Sequence, residues 1–598
     1  MTLMTPWGEE LDPDEVLPEY PRPQLVRGGH LNLNGRWRYA FAPAEPDGPE
    51  AYDGEIIVPF SPESPLSGVN RRLLPGETLW YRREFDAPDL PNDPDGSDRS
   101  DRSDASDGRD GRVLLHFGAV DQWCRVTVNG AEAGTHDGGY LPFAFDVTGL
   151  LRDGGPNTLV VEVRDPSDTG DLGWGKQKLE RGGIWYTAQS GIWQTVWAER
   201  VPNLFVERLT FVPHLDDSCV EVTVHAAGGD ARVTVEADGR TVARAQAAAG
   251  TPVRIPLDDV HAWTPEDPFL YDVTVELGDD TVTSYFGMRS FGVGPDENGI
   301  PRLLLNGRPY FHAGVLDQGY WPDGMYTAPS DAALVHDIAT MKRLGFTMLR
   351  KHIKVEPLRW YHHCDRLGIL VWQDFVSGGG PYRPEVVSAP AFLPVRLDDS
   401  GERGHRRFGR ADAAARERFR REMRETVEHL RSVVSIAVWV PFNEGWGQFD
   451  AADVAREVAE LDPTRTVDHA SGWHDQGAGD LRSLHVYFRR FRVPRRRDGR
   501  VLVLSEYGGY NLRLDGHAWN DEDFGYRRYH DAARFGGAFA RLHALQIVPA
   551  IPLGLSATVY TQLSDVEDEL NGLLTYDRKV CKLPERLVRG VNRRLNFG

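Results

Sequence analysis

The run Ser435-Ile436-Ala437-Val438-Trp439-Val440-Pro441-Phe442 leads straight into Asn443-Glu444-Gly445-Trp446-Gly447. A strand with one wet face alternates polar and apolar residues. This one does not, so both its faces are covered, as in a parallel sheet flanked by helices. Val501-Leu502-Val503-Leu504-Ser505 has the same form and ends at Glu506-Tyr507-Gly508-Gly509. If both are parallel strands of one closed sheet, the two glutamates emerge at the same rim. Two facing carboxylates are the minimum equipment for cutting a glycosidic bond: one protonates the leaving oxygen, the other attacks the sugar carbon or activates water. Most of the 89 acidic residues belong to solvated surface. Position at the tips of two apolar strands sets this pair apart.

From Arg302 onward apolar strands alternate with helical stretches. The strand candidates are 311–315, 346–350, 369–373, 435–442, 466–470, 483–487, 501–505 and 557–562. Leu334, Ile338, Met341 and Leu344 repeat at helical spacing behind a capping Ser330 or Asp331, as do Phe419, Met423, Val427 and Leu430, and then Val454, Val458 and Leu461. Eight strands with helices between them predict a (β/α)8 TIM barrel over residues 296–598. Glu444 then closes the fourth strand and Glu506 follows the seventh.

The N-terminal half is all-β. Residues 1–201 hold many short alternating runs without helices, which predicts a jelly-roll sandwich. Val126-Thr127-Val128-Asn129-Gly130 is a strand running into a hairpin turn. Residues 88–112 are almost entirely Asp, Ser, Gly, Pro, Asn and Arg, a composition that cannot bury apolar surface and predicts a disordered insertion. Residues 202–295, with an Asp238-Gly239 turn, predict an immunoglobulin-like β-sandwich.

A net charge of −21 argues against nucleic acid or an anionic membrane as partner and says little about a neutral sugar. Cys124, Cys219, Cys364 and Cys581 are scattered and read as free thiols. The first residues carry neither a basic stretch nor an apolar core of the secretory kind, and no apolar run spans a bilayer, so a soluble cytoplasmic protein is expected. No cofactor and no metal are called for. The expected partner is a small carbohydrate or glycoside, and a homo-oligomer is left open.

Motifs spread along the chain resemble glycoside hydrolase family 2, the group of β-galactosidases, β-glucuronidases and β-mannosidases. Asn34-Gly35-Arg36-Trp37, Trp80-Tyr81-Arg82-Arg83-Glu84-Phe85 and Ser190-Gly191-Ile192-Trp193 resemble its sugar-binding jelly roll. The stretch Trp263 to Tyr271 and Phe286-Gly287-Met288-Arg289 resemble its middle domain. Asn443-Glu444 and Ser505-Glu506-Tyr507-Gly508 match its acid/base and nucleophile motifs. The resemblance implies a retaining enzyme with Glu444 as acid then base and Glu506 as nucleophile. It further implies Asn443 on the sugar 2-hydroxyl, Tyr487 holding Glu506, and Arg350 keeping Glu506 ionised. Neighbouring negative charge is expected to raise the pKa of Glu444. Asp374, Trp473, His485, His352 and Gln562, at or after strand ends, are further candidates for lining the pocket. His362-His363 read as packing.

The chain also departs from the family. Where better-known members have Asn-Arg-His after the first strand, this chain has Leu316-Asp317-Gln318, and Asp317 is the substitute candidate. Where glucuronidases carry Asn-x-Lys, it reads Glu569-Leu570-Asn571, which disfavours an acid sugar. The long segment 375–410 would wall the pocket and make the enzyme exo-acting. The rival readings are a catalytically inactive carbohydrate-binding protein, a structural protein with a relic barrel, and a metal-dependent hydrolase using His312, Asp374 and His485.

Overall fold

The computed structural model describes residues 3–43, 49–88, 111–152, 154–393, 395–495 and 498–597. Parallel strands form one eight-stranded sheet in the C-terminal half: β1 His312–Asp317, β2 Met348–Lys351, β3 Leu370–Asp374, β4 Ile436–Val440, β5 Thr466–Val467, β6 Leu481–Val486, β7 Val501–Gly508 and β8 Leu555–Thr561. Their order is β5-β4-β3-β2-β1-β8-β7-β6, a barrel opened between β5 and β6. Asp480 stitches that seam. Its N–H donates to the Val467 carbonyl at 2.9 Å, and its Oδ2 accepts from the Val467 N–H at 2.8 Å.

Each of the eight apolar stretches holds one barrel strand, and β1, β2, β3, β4, β7 and β8 are buried at every position. Between β1 and β2 runs the helix Asp331–Arg343, whose Ser330 hydroxyl accepts from the Ala333 N–H at 3.2 Å. The helix Ala413–Leu430 precedes β4 and buries Phe419, Met423, Val427 and Leu430. His363 is packed under Asp331, with Nε2 2.9 Å from its carboxylate.

Glu506 lies inside β7 rather than after it. The β7–β8 ladder jumps between Leu504 and Tyr507, and the β6–β7 ladder shifts between Leu484 and His485. The resulting bulge at Ser505-Glu506 re-aims the side chain at the end of the strand.

Upstream, a four-stranded and a six-stranded sheet enclose Trp37, Tyr81, Phe117, Val126, Val161 and Ile192. The hairpin turn at Asn129-Gly130 has positive φ at both residues, as a type I′ turn requires. A three-stranded and a four-stranded sheet follow from Arg208 to Phe286, with Asp238-Gly239 turning one hairpin. The expected insertion falls, from 89 to 110, outside the described residues; Arg112 already opens the strand Arg112–Phe117.

The N-terminal arm is not confined to the first sandwich. Thr5 donates to Asp323 of the barrel at 2.6 Å, and Val26 pairs with Thr283 of the second sandwich. Buried Arg27 bonds Asp280 at 2.9 Å and Glu199 at 3.1 Å, so one guanidinium ties the arm to both sandwiches. A loop of the first sandwich also reaches the barrel mouth: Trp174 N–H donates to the Ser377 carbonyl at 2.9 Å, and Arg181 donates to Glu567 at 2.8 Å.

Cys124, Cys219, Cys364 and Cys581 are free thiols, and the first three are buried. Among the described residues no helix is long and apolar enough to cross a membrane.

Candidate active site

At the C-terminal ends of β4, β6 and β7 the structure gathers Glu444, His485 and Glu506. One oxygen of each carboxylate and one ring nitrogen of His485 lie within 4.8 Å of one another. Glu444 sits just past β4 with φ 51°, a left-handed conformation that costs a non-glycine residue about 1–3 kcal/mol. The segment after β5 holds it there. The Glu444 N–H donates to the Ser471 carbonyl at 3.0 Å, and the Ser471 N–H donates to the Phe442 carbonyl at 2.8 Å.

The two carboxyl groups have different surroundings. Glu444 Oε1 meets His485 Nδ1 at 2.8 Å. Burial pushes its carboxyl up to about 8; Lys176 and Arg350 pull the other way, and Glu569 adds to the rise. The cause expected from the sequence is therefore corrected: desolvation dominates, and neighbouring negative charge is a minor contributor. Glu506 accepts from Arg350 Nη1 at 3.3 Å and from the Tyr487 hydroxyl. Its carboxyl is also raised by burial and by Glu444, against His485, Arg350 and the Tyr487 hydrogen bond. Burial holds the His485 imidazole down to about 4, so it is neutral near pH 7. Its Nε2 lies 3.1 Å from Ser471 Oγ.

Arg350, wholly buried at the end of β2, is the hub. It donates to both oxygens of Asp374 at 2.9 and 3.1 Å, to Asn443 Oδ1 at 2.9 Å, and to the Ser505 carbonyl at 3.1 Å as well as to Glu506. His352 Nδ1 meets Asp374 Oδ2 at 2.7 Å. Asp374, itself met by His352, thus shares the Arg350 guanidinium with Glu506. Asn443 Nδ2 is buried and finds no hydrogen-bond partner among the described residues. Trp473 is half-buried, its ring 6.1 Å from that of His485. Gln562 Oε1 accepts from Gln318 at 2.7 Å, and its amide nitrogen is buried and unpaired among the described residues.

Asp317 is placed otherwise. Its Oδ2 accepts from Lys351 at 2.7 Å and its Oδ1 from the Gly319 N–H at 2.9 Å. Lys351 also donates to Glu356, which Lys354 reaches as well. Both Asp317 oxygens are spent in this buried charge network. His312 is also remote from the mouth: at the start of β1, it accepts from Trp372 Nε1 at 3.0 Å.

Several lining groups escaped the sequence reading because they come from the first sandwich. Lys176, 4% exposed, donates to the Ile184 carbonyl at 3.1 Å. Its ammonium lies 5.2 Å from the rings of Tyr186 and Trp446. Trp185 packs on Trp446 at 5.0 Å, and the Tyr186 hydroxyl donates to Glu569 at 2.5 Å. The sequence shows there only Lys176 and Lys178 after Gly173-Trp174-Gly175, which does not say what either lysine faces. The segment 375–410 is not plain loop but carries the short helices Pro384–Val387 and Gly401–Arg407. Arg410 donates to the Gly447 carbonyl at 2.9 Å and Asp399 accepts from Gln448 at 2.8 Å, so the segment braces the turn that bears Glu444.

Residues 31–202 match the sugar-binding domain model of glycosyl hydrolases family 2, residues 204–289 the family 2 model that follows it, and residues 301–494 its TIM barrel domain. A β-galactosidase of Leuconostoc mesenteroides is 25% identical over 397 residues, 61% of this chain and 34% of that protein. A β-galactosidase of Thermoanaerobacter pseudethanolicus is 24% identical over 283 residues, 44% of this chain and 37% of that protein. The matched region spans about a third of either relative's length. Among solved structures, the β-D-glucuronidase of Dictyoglomus thermophilum superposes with TM-score 0.71 at 16% identity, covering 96% of this chain and 98% of that one. A family 2 β-galacturonidase of Eisenbergiella tayi bound to galacturonate superposes with TM-score 0.68 at 19% identity, covering 96% and 99%. At these identities the superpositions speak for a common fold. With all three domain models matched in consecutive order, this chain belongs to glycosyl hydrolases family 2.

Proposed function

We propose that the protein is a retaining, exo-acting β-glycoside hydrolase that removes a terminal sugar through a covalent glycosyl-enzyme. The observation that carries this is the pair of buried carboxylates, close enough to present oxygens within 4.8 Å, in unlike surroundings. An inverting pair needs about 6.5–9.5 Å between carboxyl groups to seat a water; a retaining pair needs about 5–5.5 Å. The close approach here favours direct attack.

In this reading Glu444 starts protonated. The Ser471 hydroxyl donates a hydrogen bond to His485 Nε2, and Nδ1–H then donates one to Glu444 Oε1. The acid proton is left on Oε2 for the glycosidic oxygen. Glu506, held by Arg350 and Tyr487, attacks the anomeric carbon, and the bond to the leaving oxygen breaks as that oxygen takes the proton. Once Glu506 is an ester its charge is gone, and ionised Glu444 draws a proton from water to release the sugar. The orphaned Asn443 amide hydrogen is the donor for the sugar 2-hydroxyl, and the Arg350 bond to its Oδ1 fixes its orientation. Walls from 375–410 and from the Lys176–Tyr186 loop support a closed pocket for one sugar. Long oligosaccharide products from a polymer would contradict the exo reading. The cytoplasm is the compartment we assign.

The test is hydrolysis of nitrophenyl β-glycosides, including galactoside, glucoside, mannoside, glucuronide, galactofuranoside and arabinoside, by wild type and Glu506→Gln. Cleavage of none of them, or equal rates for the two proteins, refutes the proposal. The Glu444–His485–Glu506 cluster could also hold a cation. Loss of activity in EDTA, restored by a divalent ion, would favour the metal-dependent reading instead.

A further inference from the structure

The C-terminal rim carries a feature that the catalytic pair does not use. Phe392 and Phe488 are 63% and 51% exposed, yet their rings stack on each other at 4.7 Å and 25°. Phe392 belongs to the segment after β3 and Phe488 follows β6, so two loops are brought together to hold two rings in water. Among the described residues the other large apolar side chains exposed by more than half are aliphatic: Leu393, next to Phe392, and Leu545 and Leu553. Phe488 meets Tyr526 edge-on at 5.3 Å, and Tyr526 lies flat on Tyr487 at 3.9 Å and 6°. Tyr487 holds Glu506. The rings form an unbroken stair from the nucleophile to solvent, and an exposed apolar patch rimmed by polar groups marks a binding surface.

The charge beside the stair is reversed. The chain carries a net charge of −21, yet Arg489-Arg490-Phe491-Arg492-Val493-Pro494-Arg495 follows Phe488 directly. Arg489, Arg490, Arg492 and Arg495 are exposed, and among the described residues no ion pair joins them to a carboxylate. Arg490 reaches a carbonyl, that of Leu545, at 3.4 Å. Guanidinium forks favour carboxylates.

We propose that this rim receives the leaving group and that it takes an aglycone whose ring bears a carboxylate. The ring stands on Phe392 and Phe488, and the carboxylate meets Arg489, Arg490 or Arg492. The occupant follows from position: the stair begins at the tyrosine that holds the nucleophile, so what stands on it is continuous with the scissile bond. The inference rests on the hydrolase reading above.

The test uses phenyl and 3-carboxyphenyl β-glycosides of the sugar cleaved best, since the two aglycones are close in leaving-group acidity and differ by one negative charge. Wild type is expected to favour the carboxyphenyl glycoside in kcat/KM by about fivefold at low salt, the scale of an exposed ion pair. Half-molar salt should erase that preference. In the triple variant Arg489→Gln, Arg490→Gln, Arg492→Gln the ratio should fall to about one at any salt. Phe488→Ala should lower kcat/KM for phenyl more than for methyl glycoside. A wild-type ratio of one, or a preference that survives both salt and the triple variant, overturns the inference while leaving the hydrolase reading intact. No cleavage of any glycoside removes the hydrolase reading itself.

Discussion

Glu444 and Glu506 are chemically the same side chain, and their neighbours separate them. Glu444 has a neutral imidazole for company and burial lifts it to about 8; Glu506 has a guanidinium and a phenol. Glu444 works protonated, so kcat/KM should hold below about pH 8 and fall as pH rises through that value. Glu506 works ionised, so activity should also fall as pH drops through its own raised pKa. A pH–rate profile lacking the alkaline limb would contradict the assignment of Glu444. Glu444→Gln should cost about 10²–10⁴-fold on substrates with poor leaving groups, the span of general acid catalysis. In kcat/KM it should cost far less on a dinitrophenyl glycoside, whose first step needs no proton, and the alkaline limb should vanish, while release of the glycosyl-enzyme stays slow without the Glu444 base. Glu506→Gln should lose about 10⁴-fold or more on every substrate, because no covalent intermediate forms. Equal losses for the two variants on the dinitrophenyl substrate would mean the roles are not divided this way.

At the scale of elements, the barrel delivers Arg350 from β2, Asn443 and Glu444 from β4, His485 and Tyr487 from β6 and Glu506 from β7. Removing Arg350 leaves Asp374 and Glu506 buried without their counter-charge, and breaking such a pair costs about 3–5 kcal/mol. Arg350→Met should therefore lower the melting temperature. It should also move the acid limb of the pH profile upward, since Arg350 is one of the groups holding the Glu506 carboxyl down. An unchanged melt together with an unchanged acid limb would show that Arg350 is no hub. The barrel strands were legible because full burial writes itself as unbroken apolar runs. The bulge at Ser505-Glu506 was not, because it depends on how β7 registers against two neighbours. Asp317 was offered to the substrate for a related reason. Its partner Lys351 faces it across the β1–β2 ladder, and that register is invisible in either strand alone.

At the scale of the whole molecule, the first sandwich is part of the pocket wall. Its loop presents Lys176, Trp185 and Tyr186 to groups near Glu444 and Glu569, several hundred residues away in the chain. No local pattern encodes such a contact, so a sequence reading finds the barrel's own carboxylates and misses the lysine that approaches from outside. Lys176 has an effect that can be signed. Its positive charge opposes the burial that lifts Glu444. With Lys176→Met, ionised Glu444 loses an attracting counter-charge and its pKa rises further. The acid form then persists to higher pH, so the alkaline limb of kcat/KM should move upward while the acid limb, set by Glu506, stays in place. A purely structural lysine would reduce rates evenly across pH, and an alkaline limb that moves downward or not at all would show that the first sandwich does not act on the acid.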